Sequence, residues 1–220
     1  MTPDKPIETV RYYGHYTVTG PVTLPLSVGD QVSTFTHDGF LFWESRYSSL
    51  YKGEIGNADN LLVRVSSNCQ WAFYFGSQYC DCVWQMEESK RRIAEEGKGL
   101  IVFAHDQHGK GVGIEKHWMV YAEGQRQGLE LVVDAYEQLG LNEDYRDYGD
   151  VMDILNHYGI STIRLLTNSP RRIEIFERSG IHVVSIEPLE QPINPHLKQE
   201  YGAKKRKLDH FLKVPDSDLE

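Results

Sequence analysis

The sequence predicts a mixed α/β (α+β) protein, with a β-rich N-terminal part packed on a mixed sheet with helices. Three observations predict it. Residues 1–65 are rich in Tyr, Thr, Val and Phe and are broken by Gly and Pro, which is a strand-and-turn composition. From residue 66 onward, strand and helix patterns alternate, as they do in layered α/β proteins. The 220 residues are 40% hydrophobic and 25% charged, a composition able to bury a real core.

Each element has its own signal. Residues 12–19, 31–36, 40–43 and 61–65 read as strands from their β-branched and aromatic content. Cys82–Glu96 reads as a helix closed by Gly97, with Ile93 and Ala94 on its inner side. Residues 100–104 form a continuous apolar run and read as a buried strand. Residues 115–126 read as a helix. Residues 147–158 carry Val151, Ile154, Leu155 and Tyr158 at helical spacing and stop at Gly159. Residues 163–166 read as a strand. Pro170–Arg178 is a helix with Pro170 in its first turn, Asn168 or Ser169 as its cap, and Gly180 just beyond its end. Residues 181–186 are a last strand. The tail carries Pro188, Pro192 and Pro195 and then turns basic over residues 204–207. No repeat and no linker is visible, so the chain reads as one domain. Within it, residues 1–65 form the β-rich part, 66–190 the site-bearing part and 191–220 the basic tail.

Composition excludes several classes of function. Lys and Arg total 23 against 32 Asp and Glu, a net charge of −9, which argues against generic nucleic-acid binding. The longest apolar runs, residues 71–75 and 100–104, are five residues, far below the roughly 20 a membrane span needs. The first residues lack the charged-then-apolar order of a secretory signal. Three cysteines cannot pair completely, so reduced cytoplasmic thiols or a metal site are the better readings.

All three cysteines, Cys69, Cys80 and Cys82, lie within one short segment with the spacing Cys-x10-Cys-x-Cys. Thiolates are strong Zn²⁺ ligands, and three of them leave one tetrahedral position open, as a catalytic zinc requires. A closed structural zinc needs a fourth ligand, for which His105, His108 and His117 are available. Buried, inert thiols are the alternative.

The neighbouring residues sharpen this. Arg64-Val-Ser-Ser-Asn-Cys69 is followed by Phe75-Gly-Ser-Gln-Tyr-Cys80-Asp-Cys82, Gln85 and Ile93-Ala-Glu-Glu-Gly-Lys-Gly99. Then come Gln107-His-Gly-Lys-Gly-Val-Gly113, Tyr121, Asp144-Tyr-Arg-Asp-Tyr-Gly149 and Ile163-Arg-Leu-Leu-Thr-Asn-Ser-Pro170. This ordered set resembles the GTP cyclohydrolase II family, zinc enzymes that open riboflavin biosynthesis. The resemblance covers residues 60–190, with one apparent insertion near residues 126–131. It continues faintly through Pro188-Leu-Glu and Lys207-Leu-Asp-His210.

The resemblance implies a cyclohydrolase that removes C8 of guanine as formate. It also implies release of pyrophosphate, leaving a diaminopyrimidinone ribosylamino phosphate. By position, Cys69, Cys80 and Cys82 are the implied zinc ligands, and zinc's lowering of a water pKa suits attack on an electron-poor ring carbon. Tyr121 falls where the family has a tyrosine near the reacting ring. Asp144 and Arg146 fall on the family's proton acceptor and nucleophile. Because a guanidinium is normally protonated, charge stabilisation by Arg146 is an equal alternative. The implied nucleotide contacts are Arg64, Val65, Ser66, Ser67, Asn68, Gln85, His108, Gly109, Lys110, Thr167 and Arg172. The stretch from Thr167 to Arg172 joins a strand to a helix start, a natural anion site. Mg²⁺ is expected with the phosphates, and a homodimer is implied by the resemblance alone.

The chain departs from the family pattern where base and phosphates are recognised. The family reads Arg-Val-His-Ser-Glu-Cys where this chain has Ser66 and Asn68, and Arg-Gln-Glu-Gly-Arg where it has Asp106-Gln-His-Gly-Lys110. A carboxylate can accept the N1–H and N2–H of guanine together, whereas neutral His108 offers one acceptor. A family threonine falls on Leu131 or Val132. The pattern therefore allows GTP as substrate, or a different nucleobase or nucleotide in specialised metabolism or pyrimidine breakdown. A non-catalytic nucleotide-binding protein is the reading from another class.

Overall fold

A computed structural model describes residues 8–129, 132–142 and 144–219. One eight-stranded sheet runs through it in the order β1-β2-β3-β4-β6-β5-β7-β8. Strands β1 (Val10–Tyr13), β2 (Tyr16–Val28), β3 (Gln31–Phe42) and β4 (Arg46–Lys52) form an antiparallel meander. Strands β5 (Leu61–Ser67), β6 (Gly99–Ala104), β7 (Thr162–Leu166) and β8 (His182–Glu187) are mutually parallel. The two halves join edge to edge, β4 pairing antiparallel with β6.

Parallel strands covered on both faces must be apolar throughout. Strand β6 obeys this with Leu100 to Val102, and β5 does with Leu61 to Val63 and Val65, while its buried polar residues Arg64 and Ser66 line a cavity at the strand ends. Alternation sends Val63, Val65, Leu100, Val102 and Leu165 to one face. There they meet Val151, Ile154 and Leu155 of α5 (Gly149–His157) and Phe176 of α6 (Pro170–Arg178). Leu62, Ile101 and Leu166 reach the other face and pack on Ile93 of α2 (Cys82–Glu96). Gly99 permits that approach, since a Cβ there would sit 2.6 Å from the Ile93 side chain and 3.0 Å from the Leu62 carbonyl.

The N-terminal strands extend the sheet and reach the same helices. Phe35, Leu26 and Val28 join the α2 face, while Tyr16, Phe40 and Phe42 join the α5 face. The segments read as separate strands at 31–36 and 40–43 are one strand. Asp38-Gly39 resembles a turn dipeptide, but Asp38 is buried and accepts from Tyr158 Oη at 2.8 Å and Tyr51 Oη at 3.2 Å. Gly39 pairs on both sides, with Thr19 and Ser48.

Four further helices complete the fold: α1 (Gln70–Phe75), α3 (Ile114–Gln127), α4 (Val132–Gln138) and α7 (Lys198–Lys207). Helices α3 and α4 share a small core of Val120, Ala135 and Tyr136. The region read as a basic tail is folded. Leu197, Tyr201, Leu212, Val214 and Leu219 form their own cluster, and the Phe211 N–H donates to the Asn168 carbonyl at 2.8 Å.

Candidate active site

The chain leaves β5, β6 and β7 on the same side of the sheet, because these strands are parallel. Residues 66–69, 104–110 and 166–172 therefore converge at the strands' carboxyl ends, the usual ligand position in such sheets. A cavity of about 410 Å³ opens there.

The thiols stand at one end of it. Cys69 precedes α1 and Cys82 begins α2, so two helix starts and the turn between them bring the trio together. All three Sγ atoms lie within 4.8 Å of one another, and Cys69 and Cys80 are 3.7 Å apart. Tetrahedral zinc with bonds of about 2.3 Å places its sulfur ligands about 3.8 Å apart, so the trio fits the ion in spacing and in donor type. Hydrogen bonds from Cys80 and then Cys82 push the Cys69 thiol down. The same bonds to Cys69 push Cys80 and Cys82 up, as close thiols without an ion between them must share their charge.

Among the described residues, no His, Asp or Glu joins this group. Of the three histidines available as a fourth ligand, His105 and His108 are hydrogen-bonded elsewhere, while His117 Nδ1 is buried without a partner among the described residues. His105 Nε2 bonds Ser48 Oγ at 2.8 Å, and His108 Nε2 accepts from Asn68 Nδ2 at 3.1 Å. His117 lines the cavity within an aromatic group, its ring 5.0 Å from Trp71 and 4.9 Å from Tyr121.

Tyr121 also lines the cavity, with Trp71 edge-on at 4.7 Å. Burial raises its pKa well above the ordinary phenol value, helped by the charges of Glu200 and the thiols, so the phenol keeps its proton. Burial likewise lowers His117 and keeps its imidazole neutral.

Beneath the cavity lie two buried arginines. Arg64 donates to the Leu166 carbonyl at 2.9 Å and to Gln85 Oε1, while its Nε has no partner among the described residues. Burial and then the neighbouring Arg172 push it down to about 9. Arg172 donates to the Val65 carbonyl at 2.8 Å and to Tyr148 Oη at 3.0 Å. Gln85 turns its amide nitrogen to Asp81 Oδ2 at 2.7 Å. Val65, by contrast, points into the sheet core, so only its backbone serves the site.

Asp144 and Arg146 stand at the other end of the cavity as a two-pronged pair. Arg146 Nε is 2.9 Å from Oδ1 and one terminal nitrogen is 2.5 Å from Oδ2. Burial would raise Asp144, but the Arg146 bonds and charge, with Arg171 beside them, hold it below the usual carboxylate range. Burial opposes charge on Arg146, but Tyr148 and Asp144 outweigh it and raise its pKa.

Helix α6 opens beside this pair. Ser169 occupies the cap position without a side-chain cap bond, and Asn168 does not cap either. Asn168 instead clasps residue 189, accepting from the Leu189 N–H at 2.8 Å and donating to its carbonyl at 2.5 Å. Thr167 Oγ1 accepts from the Ser169 N–H at 3.1 Å. The first turn of α6 is thus turned to the cavity, with Arg171 at its edge. Free N–H groups and the positive helix end favour anions there.

A GTP cyclohydrolase II family model matches residues 31–188. The chain belongs to this family. A GTP cyclohydrolase-2 of Hahella chejuensis is 38% identical over 175 residues, covering 80% of this chain and 83% of the relative. One of Pseudomonas fluorescens is 37% identical over 182 residues, covering 82% and 87%. The riboflavin biosynthesis protein RibBA of Bacillus cereus is 35% identical over 195 residues, covering 88% of this chain and 47% of the longer relative.

Among the positions read as family contacts, Ser66, Ser67, Asn68, Gly109 and Lys110 line the cavity, and His108 does not. His108 turns to Asn68, whose Nδ2 also donates to the His105 carbonyl at 3.1 Å. Two of the departures from the family pattern therefore touch each other. Gly109 has to be glycine, since its φ is +51° and a Cβ would lie 2.6 Å from His117. Lys110 is buried over the Tyr136 ring, and burial lowers its pKa. Of the family threonine's two candidate positions, Leu131 lies outside the described residues, and Val132 starts α4.

Sequence reasoning missed the wall supplied from the C-terminal part, where Glu200, Lys204, Lys207 and His210 line the cavity. It also missed Trp71 and Tyr148 as site residues, and named His117 only as a candidate fourth ligand. Tyr148 was within reach, because it closes the same short motif that holds Asp144 and Arg146.

Proposed function

We propose that this protein is a zinc-dependent cyclohydrolase that opens the imidazole ring of GTP, releasing formate and pyrophosphate. One observation carries the reading: a three-thiol metal site and an arginine-lined helix start share one cavity. Relatives named GTP cyclohydrolase-2 support it. A zinc ion held by Cys69, Cys80 and Cys82 supplies Lewis acidity and activates water near neutral pH. Every other role falls to the chain. Tyr121, protonated beside the thiols, donates a hydrogen bond to the reacting ring. Asn68, Ser66 and Gln85 orient the base. Arg146, Arg171 and the α6 N–H groups hold the phosphates, with Thr167 shaping that turn.

Arg146 acts by stabilising phosphate charge, since a guanidinium is ordinarily protonated and this one is held in a two-pronged pair by Asp144. Asp144 orients it. Mg²⁺ arrives with the phosphates, whose oxygens it prefers as ligands. Three free thiols suit the reducing cytoplasm.

A second reading, ring hydrolysis of a different nucleotide, draws on one observation: His108 is engaged by Asn68 and offers the base no carboxylate. Zinc-loaded protein with Mg²⁺ and a panel of nucleotides separates the two. Formate and pyrophosphate in equal amounts from GTP establish the first. Inert GTP with turnover of another base establishes the second. Binding without turnover of any nucleotide rejects both.

A further inference from the structure

Helix α7 is polar on every side, yet Tyr201, Gly202 and Ala203 are buried. One side of it packs into the C-terminal apolar cluster, and the other meets a charge cluster at the thiol turn. Asp81, between Cys80 and Cys82, is 1% exposed. Its Oδ1 lies 2.9 Å from Lys204 Nζ, and its Oδ2 accepts from Tyr201 Oη at 3.0 Å and Gln85 Nε2 at 2.7 Å. Lys204 also meets Glu200 at 2.6 Å. The Lys204–Asp81 pair spans 123 residues of sequence.

Charge balance gives this cluster its purpose. Three thiolates around a dication keep one net negative charge. Asp81 adds a second negative charge between two of the ligands, out of water. A buried charge without a partner costs several kcal/mol, and here it would also repel the thiolates. We propose that Lys204 is a positioning residue for the metal-holding turn: its buried ion pair with Asp81 fixes the residue between Cys80 and Cys82, and α7 is thereby a working wall of the site. The inference rests on the zinc reading above. Groups that touch metal ligands from outside commonly set metal affinity by about 10–100-fold.

The test is zinc release from full-length, zinc-loaded protein into a chromogenic chelator, with the absorption spectrum of the cobalt-substituted protein as a second readout. Lys204→Met releases zinc about 10–100-fold faster than wild type and shifts the cobalt–thiolate bands. Lys204→Arg restores retention. The double variant Asp81→Asn with Lys204→Met, which removes both charges, retains zinc as Asp81→Asn alone does. Wild-type release from Lys204→Met overturns the inference. So does a double variant that loses zinc ten times faster than Asp81→Asn, a comparison that stands even if Lys204→Met does not fold. Wild-type protein that never holds zinc overturns the functional reading as well, which separates the two failures.

Discussion

The two ends of the cavity solve opposite electrostatic problems. At the thiol end, negative groups crowd together, and one lysine from a distant helix answers them. At the α6 end, Arg146, Arg171 and Arg172 crowd together, and Asp144 with the Tyr148 hydroxyl answers them. Each end keeps one surplus of charge pointed at the cavity. The lesson is orientation. A polyanion carrying an electron-poor ring has one favourable way to lie, with phosphates toward the arginines and ring toward the sulfurs.

Removing a sulfur breaks the comparison most severely. Cys80→Ser loses bound zinc and all turnover while keeping its far-ultraviolet circular dichroism, since the turn lies outside the main sheet core. Metal analysis beside the activity assay checks this. A cut at the opposite end has a smaller effect. Arg146→Ala lowers kcat about 10²–10³-fold with zinc content unchanged, the scale for losing one donor to developing charge. Residual pyrophosphate release from Arg146→Ala fits charge stabilisation, whereas a nucleophilic Arg146 would leave none.

The third test concerns support rather than chemistry. Tyr148→Phe removes the hydroxyl facing buried Arg172 and costs about 1–3 kcal/mol, measured by urea unfolding. The smallest effect sharpens the electrostatic picture through pH. Burial, with Lys204, Arg172, Lys110 and Arg146 nearby, pushes His210 down to about 3 from an ordinary 6.5. Unfolded protein therefore binds this proton first as the pH falls, and stability contributed above pH 6.5 is lost between 6.5 and about 3. One such group gives a slope of at most about 1.4 kcal/mol per pH unit. His210→Gln has a shallower acid-side loss than wild type, and an identical slope would refute the assignment.

Legibility followed the physics of each signal. Helices α2 and α6 stand where their Gly, Pro and apolar spacing placed them. Strand β4 was missed because Arg-Tyr-Ser-Ser-Leu-Tyr-Lys carries polar residues on both faces, and its place is set by pairing with β3 and β6. Helix α7 was missed for a related reason: it carries no apolar stripe, and it is held by Tyr201 in the C-terminal cluster together with ion pairs and hydrogen bonds. Of the two residues read as cap, Ser169 holds the cap position without a side-chain bond, and Asn168 has its side chain taken by two backbone partners at Leu189.

In the site, the motifs named the thiols, Asp144, Arg146 and the α6 turn. They did not reveal that His108 faces Asn68, or that the C-terminal part walls the cavity.

By itself the sequence determined the α/β class and the family, and it grouped the three thiols in one short segment. Those depend on residue identity and on apolar periods a few residues long, and both are local properties. Tertiary structure alone decided which charges meet. The contacts of Lys204 with Asp81 and of Arg172 with Val65 join residues more than a hundred positions apart. Burial, not sequence proximity, makes such pairs strong, because only away from water is an unpaired charge costly enough to dictate where a helix must lie.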